Sequence, residues 1–423
     1  MTETISPQSA AQQAYLLAER EAANVPGVPM DRVRPLQSVG VIGAGTMGTG
    51  IALALLAGGL PVTIVERSEA QLERGRGLIE KSLEGSVKRG RLTAEEAAAR
   101  RSAVSYALDF TALGEADLVI EAVFEDMAVK QAVFAELDRV VKPGAILASN
   151  TSFLDVAEIA RATSRPQDVI GLHFFSPANV MRLIEIVQPA RTAPDVVATG
   201  FALARRLGKV GVLSGVCDGF IANRMMLPRA LQAEAMALEG TPIAAIDQAL
   251  ADFGFAMGHF QMMDLAGLDV VSGGQTGRSV MGDLVAMGRL GQKSGAGFYD
   301  YGEDRKPIMN ASVTQTIAEV AAHKGIAQAP TTDPAAIRDR LLLPVVNEAA
   351  RILGEGIALR SSDIDVVAIL GYNWPVDCGG PMHWAQARGW GEVVARLKAL
   401  EAAHGPAFAP SAHLLALAEA EAA

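Results

Sequence analysis

The run Ser38-Val-Gly-Val-Ile-Gly43-Ala-Gly45-Thr-Met-Gly48 constrains this chain more than any other segment. A β-branched stretch feeds straight into Gly-x-Gly-x-x-Gly, and an apolar helix-like run, Ile51 to Leu56, follows. Gly43 permits the tight turn out of the strand. Gly45 lets a pyrophosphate come close to the backbone, and Gly48 lets the helix pack on the strand. The free N–H groups and positive dipole end of that helix suit the pyrophosphate. A second strand, Val62-Thr-Ile-Val65, ends in Glu66, where a carboxylate should accept hydrogen bonds from an adenosine ribose. Strand, turn, helix and carboxylate in this order predict a dinucleotide site.

The sequence has 423 residues, enough for two or three domains, and half of them are hydrophobic. No apolar run reaches membrane length. The Ile51–Val65 stretch is broken by Gly58, Gly59 and Pro61. Met1 to Gln13 is polar and lacks a signal pattern. Two cysteines, Cys217 and Cys378, make neither a disulfide framework nor a metal cluster. A cytoplasmic protein is expected, with no bound metal and no membrane partner. The net charge of −10 argues against nucleic acid. One stretch runs the other way. Arg67, Arg74, Arg76, Lys81, Lys88, Arg89 and Arg91 face only Glu69, Glu73, Glu80 and Glu84. Alone this reads as a solvated helix surface. Beside a dinucleotide site it also suits a second, phosphate-rich ligand.

Residues 1–35 read as a polar helix, Ala10 to Ala23, and a Pro/Gly-containing linker. From residue 36 to about 216, strands alternate with helices. Strand candidates are 39–43, 62–66, 103–106, 118–121, 145–149, 169–173, 183–187 and 209–213. The alternation predicts an α/β, Rossmann-type doubly wound sheet, mostly parallel with right-handed crossovers. Beyond Asp218 the period becomes helical. A shift of 116 residues lays Arg224-Met-Met-Leu-Pro228 on Arg340-Leu-Leu-Leu-Pro344, Glu239-Gly240 on Glu355-Gly356 and Asp247 on Asp363. Two tandem all-helical domains follow, 217–303 and 336–423, joined by a linker at 304–335. The second reads as a structural repeat without a catalytic centre.

Chemistry is expected beyond the carboxyl ends of the strands. Ser152 follows one strand, His173 ends the next, and Glu185 interrupts the apolar Leu183-Ile-Glu-Ile-Val187. A carboxylate inside such a strand is expensive unless paired. His173 is its natural partner, and a carboxylate favours the imidazolium a base must form. On its own His173 reads as a core histidine, and Glu185 as an exposed edge residue. Asn223 lies in the first turns of the long helical pattern, where Asn is a poor interior residue. It bonds either something outside the helix or local backbone. Ser152 has a bland reading as a helix cap.

Six ordered motifs carry a resemblance: Gly43-Ala-Gly-Thr-Met-Gly48, Asn150-Thr-Ser-Phe-Leu154, His173-Phe-Phe-Ser-Pro177, Leu183-Ile-Glu-Ile-Val187, Gly219-Phe-Ile-Ala-Asn-Arg224 and Lys293-Ser-Gly-Ala-Gly-Phe-Tyr299. Together, over about residues 36–303, they closely resemble the L-3-hydroxyacyl-CoA dehydrogenase family. The tandem helical part, with Asp363-Ile-Asp365 and Gly379-Gly-Pro-Met382, resembles the end of the β-oxidation multifunctional enzymes. Ala18-Glu-Arg-Glu21 resembles their linker helix. A counterpart of their hydratase/isomerase domain is not expected here.

The resemblance implies an NAD-dependent enzyme that oxidises L-(S)-3-hydroxyacyl-CoA to 3-ketoacyl-CoA. His173 would be the base and Glu185 its partner. Ser152 and Asn223 would hold substrate oxygens. Gly43, Gly45, Gly48, Glu66, Glu125, Lys130, Ser152, Ser176 and Lys293 would meet NAD, and Ser82 and Arg89 coenzyme A. Ser176 stands where many relatives have Asn, and Glu66 replaces the commoner Asp. Arg67 could tolerate a 2′-phosphate, so NADP use is reduced and not excluded. Asp339 occupies the place of Asn223 in the second copy. Met225, Met226, Met257, Met262 and Met263 suit either an acyl channel or helix packing. Rival functions are a same-fold dehydrogenase of a free hydroxy acid and a non-catalytic dinucleotide-binding protein. A monomer is expected, the tandem copies pairing within one chain, with a homodimer as the alternative.

Overall fold

In the computed structural model, residues 9–272 and 278–423 are described. The first eight residues of the polar N-terminal stretch lie outside them. The chain forms two compact units. The first runs to Arg224 and takes in Ile352–Tyr372, and the second is Met225–Arg351 with Asn373–Ala423.

The first unit holds an eight-stranded sheet: β1 (Val39–Ile42), β2 (Val62–Val65), β3 (Val104–Ala107), β4 (Leu118–Glu121), β5 (Ile146–Ser149), β6 (Val169–Phe174), β7 (Leu183–Val187) and β8 (Val210–Ser214). Their order across the sheet is β3-β2-β1-β4-β5-β6-β7-β8. All neighbours are parallel except β6 and β7, which run antiparallel with His173 opposite Glu185. Only eight residues, 175–182, join those two strands, too few for a parallel crossover. The central strands are buried on both faces, which explains their near-continuous apolar runs. Val41, Ile120 and Ile170 pack on one core, and Ile42, Val119 and Leu147 on the other.

The strand order reverses between β1 and β4, which opens the crevice at the carboxyl ends of the parallel strands. Gly43 turns there at φ 101°, and a Cβ on it would meet the Ala122 carbonyl oxygen at 2.6 Å. A Cβ on Gly48 would fall 1.9 Å from the Gly43 oxygen, so only glycine lets helix Thr46–Ala57 start this close to β1. Helix Ala10–Glu21, closed by a Ser9/Gln12 capping box, packs against helix Ser361–Tyr372 of the second copy.

The long helix of each copy runs across a unit boundary: Ala222–Leu238 in the first, between Arg224 and Met225, and Pro334–Gly354 in the second, between Arg351 and Ile352. The segment read as a linker holds helix Ala311–His323, with Val313, Val320 and Ala321 buried. A short ribbon, Asp300–Tyr301 with Pro307–Ile308, interrupts the otherwise helical second unit. Arg340 of the second copy makes a bidentate pair with Glu239 of the first, at 2.5 and 2.7 Å. Arg224 of the first pairs likewise with Glu355 of the second, at 2.6 and 2.9 Å. The 116-residue shift exchanges these two pairs. Residue i meets j of the other copy and j meets i, the signature of two-fold pairing, here within one chain.

Candidate active site

Glu185 anchors the site. It is fully buried in β7. One oxygen, Oε2, lies 2.7 Å from His173 Nδ1. The other accepts the backbone N–H groups of Ile221 and Ala222, both at 3.0 Å. Those amides belong to the start of helix Ala222–Leu238, where unpaired N–H groups and the helix dipole favour an anion. Gly219 and Phe220 both take positive φ, 73° and 51°, at this entry. Such backbone in a non-glycine residue is costly and sits here beside the His173 ring, 5.7 Å from that of Phe220. With both oxygens engaged, the carboxylate cannot swing, and it fixes Nδ1 of the imidazole as the protonated nitrogen.

The other nitrogen, His173 Nε2, lies 3.2 Å from Ser152 Oγ. Ser152 is fixed in turn from behind. Glu125 accepts its N–H at 2.8 Å, the N–H of Phe153 at 3.1 Å and the hydroxyl of Thr151 at 2.6 Å. Lys130 joins Glu125 at 3.2 Å and Glu121 at 2.7 Å, and Ser149 donates to Glu121 at 2.7 Å. Burial works against the charged form of Glu125. The Thr151 hydroxyl, the Lys130 ammonium and the Ser152 amide outweigh it and hold that carboxyl below its usual range. Lys130 is itself only 1% exposed, so its ammonium serves the two carboxylates, and any contact it has with a ligand runs through Glu125. Asn150, quoted in a motif but given no role from the sequence, accepts the Phe174 N–H at 2.8 Å and ties the end of β5 to β6. Its signal was its place at the head of Asn150-Thr151-Ser152. Asn223 turns its Nδ2 to the Ser152 carbonyl at 3.4 Å.

Ser152, His173, Glu185 and Asn223 thus form one connected group. Glu125 and Lys130 join it through the Ser152 amide. Glu66, at the end of β2, accepts the Ala44 N–H at 3.3 Å and the Ser68 N–H at 3.2 Å. Arg67 turns away to Glu136 and lies over the Phe110 ring. Gly45 has open space where a Cβ would be, and helix Thr46–Ala57 has no side-chain cap. Open space, uncapped N–H groups and a carboxylate at the next strand end fit a dinucleotide. Ser176 is exposed in the loop after β6. Ser82 and Arg89 lie on and just past helix Glu69–Lys88, with Arg89 exposed. Among the described residues, Lys81, Lys88, Arg89 and Arg91 form no ion pair, whereas Arg76 and Arg101 do. Lys293 belongs to the second unit and pairs with Asp269. Met225 and Met226 are buried, and Met263 lines an apolar cavity of about 120 Å³ with Leu231, His259 and Phe298.

Residues 38–217 match the family model for the 3-hydroxyacyl-CoA dehydrogenase NAD binding domain, and residues 219–301 match that for the C-terminal domain. A crystal structure of 3-hydroxybutyryl-CoA dehydrogenase from Escherichia coli K12 is 30% identical, covers 92% of this chain and 99% of its own, and superposes with a TM-score of 0.79. The chain belongs to the 3-hydroxyacyl-CoA dehydrogenase family. Another member of similar structure is the dehydrogenase part of multifunctional enzyme 1 from C. elegans. It is 28% identical, with 97% and 100% of the two chains covered and a TM-score of 0.68. A peroxisomal bifunctional enzyme from Danio rerio is 42% identical over 391 residues, 86% of this chain and 53% of that protein. The chain spans about half the length of the curated relatives it matches. Among the described residues, no helix is long and apolar enough to cross a membrane.

Proposed function

We propose that this chain is an NAD-dependent dehydrogenase that oxidises (S)-3-hydroxyacyl-CoA to 3-ketoacyl-CoA in fatty-acid β-oxidation or related acyl-CoA metabolism. The observation that carries the reading is the line from Ser152 Oγ through His173 to a fully buried Glu185 whose two oxygens are both engaged. His173 Nε2 takes the proton of the 3-hydroxyl, and Glu185 stabilises the imidazolium that results. Ser152 and Asn223 hold the substrate oxygens at the reacting carbon. NAD, when bound, accepts the hydride. Glu66 binds the adenosine ribose and disfavours a 2′-phosphate, and Arg67, already held by Glu136, offers that phosphate little. Glu125 and Ser176 complete the cofactor contacts of the first unit. Arg89 with Ser82 and the unpaired Lys88 receive the coenzyme A phosphates, an electrostatic contact weakened by salt.

The reciprocal ion pairs support a monomer in which the second copy takes the place of a second subunit. The two free cysteines, partly buried, suit a reducing compartment such as the cytoplasm. The test is NADH consumption by the purified chain with acetoacetyl-CoA and, separately, with acetoacetate. Turnover of the thioester alone is expected. Turnover of the free acid alone would make the protein a hydroxy-acid dehydrogenase, and turnover of neither would leave only a dinucleotide-binding protein.

A further inference from the structure

Asn223 has a second partner, and it comes from the other copy of the helical module. The hydroxyl of Tyr372 meets Asn223 Oδ1. Tyr372 is the last residue of helix Ser361–Tyr372, 149 positions further along the chain. The direction of this hydrogen bond follows from the rest of the network. The Ser152 carbonyl can only accept, so the amide nitrogen of Asn223 faces it and the amide oxygen faces Tyr372. The phenol therefore donates.

We propose that Tyr372 is a positioning residue for Asn223, and that the second helical copy thereby contributes to the active site of the first. Without a donor on Oδ1, only the long 3.4 Å contact to the Ser152 carbonyl sets the flip of the side-chain amide, whose last torsion is broad and nearly two-fold. The flipped orientation presents an oxygen to the substrate. That oxygen would repel the charge that develops on the substrate as the proton leaves. With Oδ1 engaged by the phenol, the Nδ2 group is held toward Ser152, and its second N–H is kept for a substrate oxygen.

The phenol is itself firmly placed. Its ring meets that of Phe175 edge-on at 6.5 Å, and Phe175 lies 4.5 Å from the His173 ring. A Cβ on Gly371 would fall 3.2 Å from Leu183 and 3.3 Å from the Phe175 ring, so glycine lets the helix end come this near β7. At the other end of the segment, Gly215 donates to the Ile357 carbonyl at 2.8 Å, Ala358 bridges to Ser214, and Glu355 holds Arg224, the neighbour of Asn223. The segment 355–372 is thus tied at both ends to the elements that carry Glu185 and Asn223.

This inference rests on the reading of Asn223 as a donor to substrate. The test is a double-mutant cycle of Tyr372→Phe and Asn223→Ala in the full chain, with NADH and acetoacetyl-CoA. Y372F removes one hydroxyl and keeps the ring on Phe175. It should lower kcat by roughly tenfold, leave KM for NADH unchanged and leave the melting temperature unchanged, a split that a merely structural role would not give. On the N223A background it should lower kcat no further. Wild-type kcat in Y372F, with N223A slow, would overturn the role of Tyr372 alone. An equal loss on both backgrounds would show that Tyr372 does not act through Asn223, which also overturns it. Full turnover in N223A would overturn the donor role of Asn223 and this proposal with it.

Discussion

The two copies of the helical module share a plan and divide their chemistry. In the first copy, position 223 is an amide held between the Ser152 carbonyl and the Tyr372 hydroxyl. In the second copy the equivalent Asp339 is a carboxylate clamped by Arg388 at 2.7 and 3.0 Å, nine-tenths buried. The difference follows from what lies nearby. The amides just ahead of Asn223 are occupied by Glu185, and a second carboxylate there would meet a buried like charge. Asp339 has cations for neighbours and can be acidic at little cost. One copy has its helix start bound to Glu185 and Ser152, the group proposed to be catalytic. The other has that position given over to an ion pair, and contributes Tyr372 and Glu355 instead.

If chemistry belongs to one copy alone, removing its base must remove the activity. His173→Gln should cut the rate of acetoacetyl-CoA reduction by roughly 10²–10⁴-fold, the range for losing a positioned general base, while NADH binding persists. Residual turnover near that of the unmutated chain would point to a second centre and break the comparison.

The exchanged ion pairs sharpen it further, because their surroundings differ. Arg340 and Glu239 are 4% and 20% exposed, Arg224 and Glu355 18% and 47%. Arg340→Met leaves a shielded carboxylate without its partner, and should cost about 3 kcal/mol. Glu355→Gln breaks the more solvated pair, and should cost about 1 kcal/mol or less. Urea unfolding of the two variants checks the order. Equal costs would show that the copies contribute symmetrically to their pairing.

Acid should act through the first copy. Burial, with Arg229 adding to it, pushes the imidazole of His259 down to about 3, and its Nδ1 has no hydrogen-bond partner among the described residues. The folded state prefers the neutral ring, so this contribution to stability is complete above the unfolded value of about 6.5 and is lost as pH falls toward 3. Asp247 in the same copy works oppositely. Burial raises its carboxyl to about 6, so its contribution is present below about 4 and is lost as pH rises to 6. The urea midpoint of His259→Leu should depend less on acid than that of the unmutated chain between pH 6.5 and 4. Identical pH profiles would remove His259 as the cause.

Much of this was readable beforehand for identifiable reasons. The central strands announced themselves because burial on both faces demands an apolar run, whereas β3 is only partly buried. Glu185 stood out because a carboxylate in such a run needs a partner, and His173 opposite it in the sheet is that partner. The antiparallel turn of β7 was not read, since hydrophobic pattern carries no direction. The short 175–182 connection held that information. Lys130 was assigned to the cofactor by resemblance, and its burial between two carboxylates belongs to tertiary packing that spacing does not encode. Tyr372 carried no local signal, because its significance lies in a contact made 149 residues away.

Position 223 is proposed to do chemistry, and position 339 to hold an ion pair alone. The most direct measurement is kcat for acetoacetyl-CoA reduction in Asn223→Asp beside Asp339→Asn. The first should fall on the order of 10²-fold, as for loss of a donor to a developing oxyanion, and the second should stay within about twofold of the unmutated chain. A comparable loss in both variants, or an active Asn223→Asp, would contradict it.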